Sequence, residues 1–363
     1  MALAVSVQAQ MGRRQADGSM KKTAPPSAFR LPPSAQPRLS VVIVNYGQWQ
    51  ETSDLVRQLQ GGACARRGAA EVVVVDNHSA AHPLGARLRR LNGISLRRWG
   101  RNRGFARAAN EGCRLSSGDW CLLLNPDVTV SSDFLDRVLE LADGVSARDP
   151  HAGIIGFQLR NSDGSLQLSS GFFPTLIGTL AGLARPRTRR KYRELSLRQR
   201  SRTCWVTGCC LLVRRACLQQ LGGLDEDFFL YYEDVDLCRR ARARGWSVWY
   251  EPALQVVHHR PLHSRDVPAH LRLVTRHALL TYGARHWPAW QAGLLARVVQ
   301  AESWFRKCWA FCRGRTSQAA LFAETAAIAS AMARGKHVLA RGRLRRAVRR
   351  EENRPQDSRV RDA

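Results

Sequence analysis

Carboxylates are scarce in this chain: 363 residues carry 29 Asp and Glu against 57 Lys and Arg. The places where acid gathers beside apolar sequence are therefore the first to examine for chemistry. One is Leu122-Leu-Leu-Asn125-Pro-Asp127-Val128, in which three leucines suited to a buried strand run into a polar turn. A carboxylate at the exit of a buried strand is poorly placed for packing and well placed to hold a hard cation. A lone carboxylate is a poor metal site, so Mg²⁺ or Mn²⁺ on Asp127 needs another protein ligand, waters and oxygens from a bound molecule. A second is Glu233-Asp234-Val-Asp236, which sits among Phe228, Phe229, Tyr231, Tyr232, Val235 and Leu237. Clustered carboxylates in apolar surroundings raise one another's pKa, as a general base requires. Residues two apart do not share a helix face, which gives Asp234 and Asp236 different jobs. The plainer alternative is a helix N-terminus charged to match its dipole.

Three weaker signals gain weight in company. Asp76 ends an all-valine strand with Asn77 and Ser79 beside it; alone this reads as a turn, and in a nucleotide site it reads a base edge or a ribose hydroxyl. In Asn102-Arg-Gly104-Phe105 the glycine lets backbone approach a ligand and the helix behind favours phosphate, or Asn102 merely caps the helix. His258-His259 follows a short strand; a single histidine is more often structural, and only a carboxylate site nearby makes it a metal ligand.

Positioning these groups requires an α/β scaffold. Leu39 to Val44 reads as a strand buried on both faces, ending at Asn45-Tyr46-Gly47, and Glu51 to Gln60 as a helix stopped by Gly61-Gly62. Strands follow at Glu71–Val75, Ile94–Arg98 and Trp120–Leu124. A helix runs from Gly100 through Asn110 to Leu115, and another over Phe134–Ala142 is capped by Ser131, Ser132 or Asp133. Strand and helix alternating across short polar turns is the pattern of a doubly wound, mainly parallel sheet, with the polar turns along one edge. Further strands are read at Gly153–Leu159 and Trp246–Tyr250, and core-like sequence at Cys204–Arg214. The expected organisation is a disordered leader over 1–38 and a catalytic domain over 39–265. That domain falls into two halves, 39–130 and 150–265. A helical, membrane-associating extension follows at 266–350, broken at Gly335, with a charged tail at 351–363.

The formal net charge of +28 points to a polyanionic partner: nucleic acid, an anionic membrane or phosphate-bearing substrates. Nucleic acid fits poorly, because the arginines concentrate in the 185–202 insert and the C-terminal third, without base-stacking aromatics interleaved on a sheet. None of the ten cysteines forms a C-x-x-C pair, so a zinc site has little support and several thiols read as core fillers. No secretory signal and no apolar run of membrane-spanning length is present, which points to a cytoplasmic protein, peripheral on the inner membrane's cytoplasmic face.

Residues from about Leu39 to Ser264 resemble the family 2 inverting glycosyltransferases of the GT-A fold, and most of all their bacterial rhamnosyltransferase-like branch. Seven motifs in order carry the likeness: Val-Val-Ile-Val-Asn-Tyr (41–46), Val-Val-Asp-Asn-His-Ser (74–79), Asn-Arg-Gly-Phe-Ala-Arg-Ala-Ala-Asn (102–110), Leu-Leu-Asn-Pro-Asp-Val (123–128), Trp-Val-Thr-Gly (205–208), Phe-Phe-Leu-Tyr-Tyr-Glu-Asp-Val-Asp-Leu (228–237) and Val-Val-His-His (256–259).

The resemblance implies roles. Asn45, Asp76 and Asn102 contact the nucleotide-sugar, with Tyr46, Asn77, Gly104, Phe105, Asn110 and Asn125 around them. Asn125-Pro-Asp127 stands where the family carries Asp-x-Asp, with Asp127 as metal ligand and Asn125 in place of the first acid. Asp234 matches the general base; Trp205, Thr207, Gly208, Glu233 and Asp236 lie on the acceptor and donor-sugar side. His258 is the second metal ligand, with His259 the alternative. Gly47 departs from the family, where a larger or polar residue is usual, and so does the absence of a Gly-rich run after His259. The implied activity is transfer of rhamnose from dTDP-rhamnose to a lipid-linked or nascent cell-surface glycan, with a UDP-sugar such as UDP-galactofuranose as the other donor. The competing readings are a basic nucleic-acid-binding protein and an inactive membrane-bound scaffold; the presence of both Asp127 and Asp234 speaks against the scaffold.

Overall fold

A computed structural model describes residues 36–183, 199–260 and 269–353. The leader up to residue 35, most of the arginine-dense insert (184–198) and the tail from 354 lie outside the described residues.

In chain order the first half comprises β1 (Leu39–Asn45), α1 (Trp49–Gln60), α2 (Ala63–Arg66), β2 (Ala70–Asp76), α3 (Pro83–Leu88), β3 (Ile94–Arg98), α4 (Phe105–Arg114), β4 (Trp120–Leu124), β5 (Val128–Thr129) and α5 (Phe134–Arg148). The second half continues with β6 (Ala152–Arg160), β7 (Leu166–Gln167), β8 (Ser170–Gly171), α6 (Leu176–Leu183), β9 (Ser201–Arg202), β10 (Trp205–Val206), β11 (Cys210–Arg214), α7 (Arg215–Leu221), α8 (Glu233–Ala243) and β12 (Ser247–His258). Four long helices close the described chain: α9 (Ala269–His286), α10 (Ala289–Cys312), α11 (Thr316–Ala333) and α12 (His337–Glu352).

The main sheet runs β3-β2-β1-β4-β11-β6-β12-β5. β3, β2, β1 and β4 are parallel, β11 is antiparallel to both its neighbours, and β12 is parallel to β6. This is the expected doubly wound, mainly parallel sheet with flanking helices and a helical C-terminal extension. Its central strands β1, β2, β4 and β11 lack polar alternation because both faces are covered. Val41 and Ile43 of β1 pack with Val72, Val74, Leu122 and Leu124 under α1 and α5. Val42 and Val44 pack with Val73, Val75 and Leu123 under α4 and α8. α9 belongs to the second core through Ala278 and Tyr282, and to a third, all-helical cluster through Leu273, Val274, Leu279 and Leu280.

β12 is longer than its sequence suggests. It runs unbroken from Ser247 to His258 and accommodates Pro252 at a register irregularity between Glu251 and Gln255, so it carries His258 to the same edge as Asp127. α5 likewise extends two turns past Ala142. The ten cysteines are all free thiols, and seven are buried, as core fillers should be.

Candidate active site

The register places the strand ends together. Asn45 pairs with Asp76 across β1 and β2, and β4 ends alongside β1, so Tyr46, Asn77 and Asn125 line one edge of the sheet. The start of antiparallel β11 and the end of β12 reach the same edge, because Cys210 faces Leu124 and His258 faces Val128.

Within the first half, Asn45 is fully buried and its amide is spent internally. Its nitrogen donates to Asp76 Oδ1 at 3.0 Å and Ser79 Oγ at 3.1 Å. Its oxygen accepts from Gln48 N at 3.0 Å and Thr52 Oγ1 at 3.1 Å. Asp76 is buried, and Arg98 Nε donates to its other oxygen at 2.9 Å. Asn45 and Asp76 thus fix the turn around Ser79. Neighbouring Asn77 bridges to the next loop, giving its amide N–H to Asn102 Oδ1 and taking the Arg103 N–H, both at 2.8 Å. Asn102 Oδ1 also accepts from Gly104 N at 2.9 Å, so the side chain holds the entry to α4.

Gly104 makes its close approach to protein. At φ +91° it occupies backbone space that an L side chain rarely adopts, and a Cβ there would lie 2.6 Å from the Phe229 carbonyl oxygen. That carbonyl accepts the Phe105 N–H at 2.7 Å, so the first amide of α4 is directed at the aromatic run before Asp234. Asn110, one turn further on, is likewise a brace, exchanging two 2.9 Å hydrogen bonds with the Leu224 backbone.

The metal-side pair is compact. His258 Nε2 lies 3.5 Å from Asp127 Oδ2, and both residues are nearly buried. His259 instead faces Thr129 Oγ1 at 2.7 Å and Ser162 Oγ at 3.0 Å. Behind His258, the Gln167 amide contacts Nδ1 at 2.9 Å, and its Oε1 is buried with no hydrogen-bond partner. Turning that amide over puts Oε1 on Nδ1–H, which satisfies the oxygen and leaves the Nε2 lone pair facing Asp127. A carboxylate oxygen and an imidazole nitrogen suit Mn²⁺ or Mg²⁺ as part of a shell. Among the described residues no group of three or more His, Cys, Asp and Glu is placed to hold a metal ion. Asn125 is half-buried at this turn, and its N–H donates to the Cys209 carbonyl at 2.9 Å.

Asp234 lies in the first turn of α8. Its Oδ2 accepts from Gly208 N at 2.9 Å and its Oδ1 from Val235 N at 2.8 Å. Tyr231 and Tyr232, just before it, have φ of 72° and 68°, strained values for aromatic residues that concentrate at functional sites. The Cys209 thiol is pushed well above its ordinary pKa by burial first, and then by the charges of Asp127, Cys210 and Asp234.

Asp236 and Trp205 of the acidic and Trp-Val-Thr-Gly motifs are engaged within the protein. Asp236 accepts from Arg240 Nε and contacts His286 Nε2, each at 2.7 Å, tying α8 to α9. Trp205 is buried and donates to the Phe172 carbonyl at 2.9 Å. Thr207 is half-buried and its N–H bonds the Ser169 carbonyl at 2.8 Å; Glu233 is buried beside Asp234. Sequence reasoning missed Gln167, which lies in a two-residue strand with no pattern to mark it. It also missed Arg98 as the partner of Asp76, and Glu352, whose acid at the C-terminal end of a basic helix is a legible anomaly.

The model of the family described as glycosyltransferase like family 2 matches residues 37–278, and the chain belongs to that family. It is 33% identical over 276 residues to the N-acetylglucosaminyl-diphospho-decaprenol L-rhamnosyltransferase of Mycobacterium tuberculosis, covering 70% of this chain and 87% of that protein. It is 28% identical over 163 residues to the rhamnosyltransferase WbbL of Escherichia coli K12, covering 44% and 60%. Among solved structures, the mannosyltransferase of Pyrobaculum calidifontis in complex with GDP-Man and Mn²⁺ is similar at a TM-score of 0.47 and 18% identity, covering 87% of each chain.

Proposed function

We propose that this glycosyltransferase moves rhamnose from dTDP-rhamnose, with inversion, onto a lipid-linked or nascent glycan acceptor. The observation that carries the reading is that the Gly208–Cys209 backbone joins the Asp234 carboxylate to the Asn125–Asp127 turn, whose carboxylate faces His258, at the edge where the ends of β1, β2 and β4 converge. The 33% identity to a rhamnosyltransferase named for a diphospholipid-linked sugar supports the donor sugar and the acceptor class. A UDP-sugar such as UDP-galactofuranose is the alternative donor.

Residues 39–130 hold the nucleotide. Tyr46 and Asn102 present donor groups to it from the end of β1 and the loop before α4, while Asn45 and Asp76 brace the turn at Ser79. Asp127 and His258 hold a divalent cation, which when bound neutralises charge on the diphosphate leaving group. Asp234 accepts the proton of the acceptor hydroxyl as the oxygen attacks the anomeric carbon. The bond from that carbon to the diphosphate oxygen breaks, and a single displacement inverts the centre. Both carboxylate oxygens of Asp234 already accept backbone N–H groups, which orient the carboxylate and leave a lone pair on each for the hydroxyl.

Residues 150–265 and the helical extension face the acceptor and an anionic membrane surface on the cytoplasmic side. The outer face of α10 exposes Trp290, Trp304, Phe305, Trp309 and Phe311 beside Arg306 and Lys307, the aromatic and cationic mixture suited to lipid headgroups. Among the described residues no helix is long and apolar enough to cross a membrane. The test is thermal unfolding with dTDP, UDP or GDP and Mn²⁺ or Mg²⁺, since a ligand of the native state raises stability with the logarithm of its concentration over Kd. dTDP with a divalent cation should give the largest rise; no rise with any of the three contradicts a nucleotide-sugar site.

A further inference from the structure

The end of α12 reaches the nucleotide half of the site. Glu352 Oε1 accepts the Tyr46 hydroxyl at 2.7 Å and the Asn102 amide at 2.8 Å. The two donors come from different segments, one just after β1 and the other in the loop before α4, so one carboxylate bridges them.

α12 is anchored further back. Arg341 pairs with Asp227, and Ala340, Leu344 and Ala347 are buried. Beyond Ala347 the helix buries no further side chain: Arg349 and Arg350 are exposed, and Glu351 and Glu352 are half-buried. An acidic residue in the last turn also opposes the helix dipole, which favours cations there. Glu352 therefore stands against the local preference of a helix that is otherwise Arg-rich, in the last turn of that helix. Helix ends are the turns that open first.

Its partners matter for the donor. A tyrosine hydroxyl has one proton to give, and here that proton goes to Glu352. A nucleotide oxygen can take it only once the carboxylate has left. Nucleoside diphosphates present the same kind of acceptor, as carbonyl, ribose and phosphate oxygens.

We propose that the last turn of α12 is a latch whose Glu352 carboxylate occupies the nucleotide's place on Tyr46 and Asn102, so that donor binding requires its release. The proposal rests on reading Tyr46 and Asn102 as nucleotide contacts. A site closed in most molecules binds its ligand more weakly by the fraction that is open.

The test uses the full chain and its Glu352→Gln and Glu352→Ala variants, titrated with dTDP and Mn²⁺ by calorimetry, with hydrogen–deuterium exchange followed over residues 343–353. Both variants should bind roughly three- to thirtyfold more tightly than the parent, and dTDP should speed exchange of the last turn in the parent. Equal or weaker binding by the variants, or protection of the last turn by dTDP, overturns the latch while leaving the nucleotide site standing. No dTDP binding by any of the three chains removes the nucleotide site itself, and the latch with it.

Discussion

Gly208 gives its backbone N–H to Asp234 Oδ2 at 2.9 Å, and the next carbonyl along the chain, that of Cys209, takes the N–H of Asn125 at 2.9 Å. The start of β11 thus links the carboxylate on α8 to the turn that carries Asp127. A Cβ on Gly208 would sit 3.4 Å from the Asp234 Cβ, which places the two residues in direct contact. The base side and the metal side are positioned by one short stretch of backbone, so disturbance at either end should be felt at the other.

Gly104→Ala tests the contact between the Asn102–Phe105 loop and the aromatic run that leads to Asp234. The glycine sits at φ +91°, and an added Cβ would come within 2.6 Å of the Phe229 carbonyl oxygen. A backbone strained in this way costs about 1–3 kcal/mol. The variant should lose that much unfolding free energy in a denaturant titration and transfer sugar more slowly. Unchanged stability contradicts the close packing.

Gln167→Ala tests the support behind His258. The amide is the ring's contact on the Nδ1 side, at 2.9 Å. Loss of such a partner lowers metal affinity by about 10- to 100-fold. Mn²⁺ titration in the presence of saturating dTDP, read by electron paramagnetic resonance, should show that loss, whereas His259→Ala should leave affinity near the parent value. The reverse order of effects contradicts the choice of His258.

Much of this site is written in the local sequence. β1, β2 and β4 follow from apolar runs, Asp127 and His258 stand where such a run meets polar sequence, and Asp234 stands where an aromatic run enters a helix. What a single sequence hides is how polar side chains divide their hydrogen bonds. Asn45 and Asn110 have the residue type and place of ligand contacts, yet their amides are consumed by Asp76, Ser79, Gln48 and Thr52, and by Leu224. Asp236 is two residues from Asp234 and is spent on Arg240 and His286, partners supplied by helix periodicity and by a distant helix respectively. Gln167 and Glu352 join the site only through tertiary contacts over long sequence separations, 91 residues to His258 for the first and 306 to Tyr46 for the second.

The helical extension should carry its own acid sensitivity. His277 is buried in α9, and burial, with smaller contributions from Arg345 and His337, lowers its pKa from 6.5 to about 4. In the unfolded chain the ring charges below its ordinary value while the folded protein keeps it neutral. Stability from this group is therefore complete above about pH 6.5 and is lost as pH falls toward 4, by about 3 kcal/mol in all. Urea unfolding at pH 7.5 and 4.5 should show a smaller difference for His277→Gln than for the parent. An identical difference contradicts the buried neutral ring.

The most direct test of the account is transfer by Asp234→Asn, assayed with dTDP-rhamnose, Mn²⁺ and a polyprenyl-diphosphate-linked N-acetylglucosamine acceptor. Asparagine keeps an oxygen for the Gly208 N–H but cannot take the acceptor's proton. General base catalysis contributes about 10²–10⁴-fold, so kcat should fall by that factor while calorimetry shows dTDP binding as in the parent. Transfer by the variant near the parent rate contradicts the assignment of Asp234 as the base.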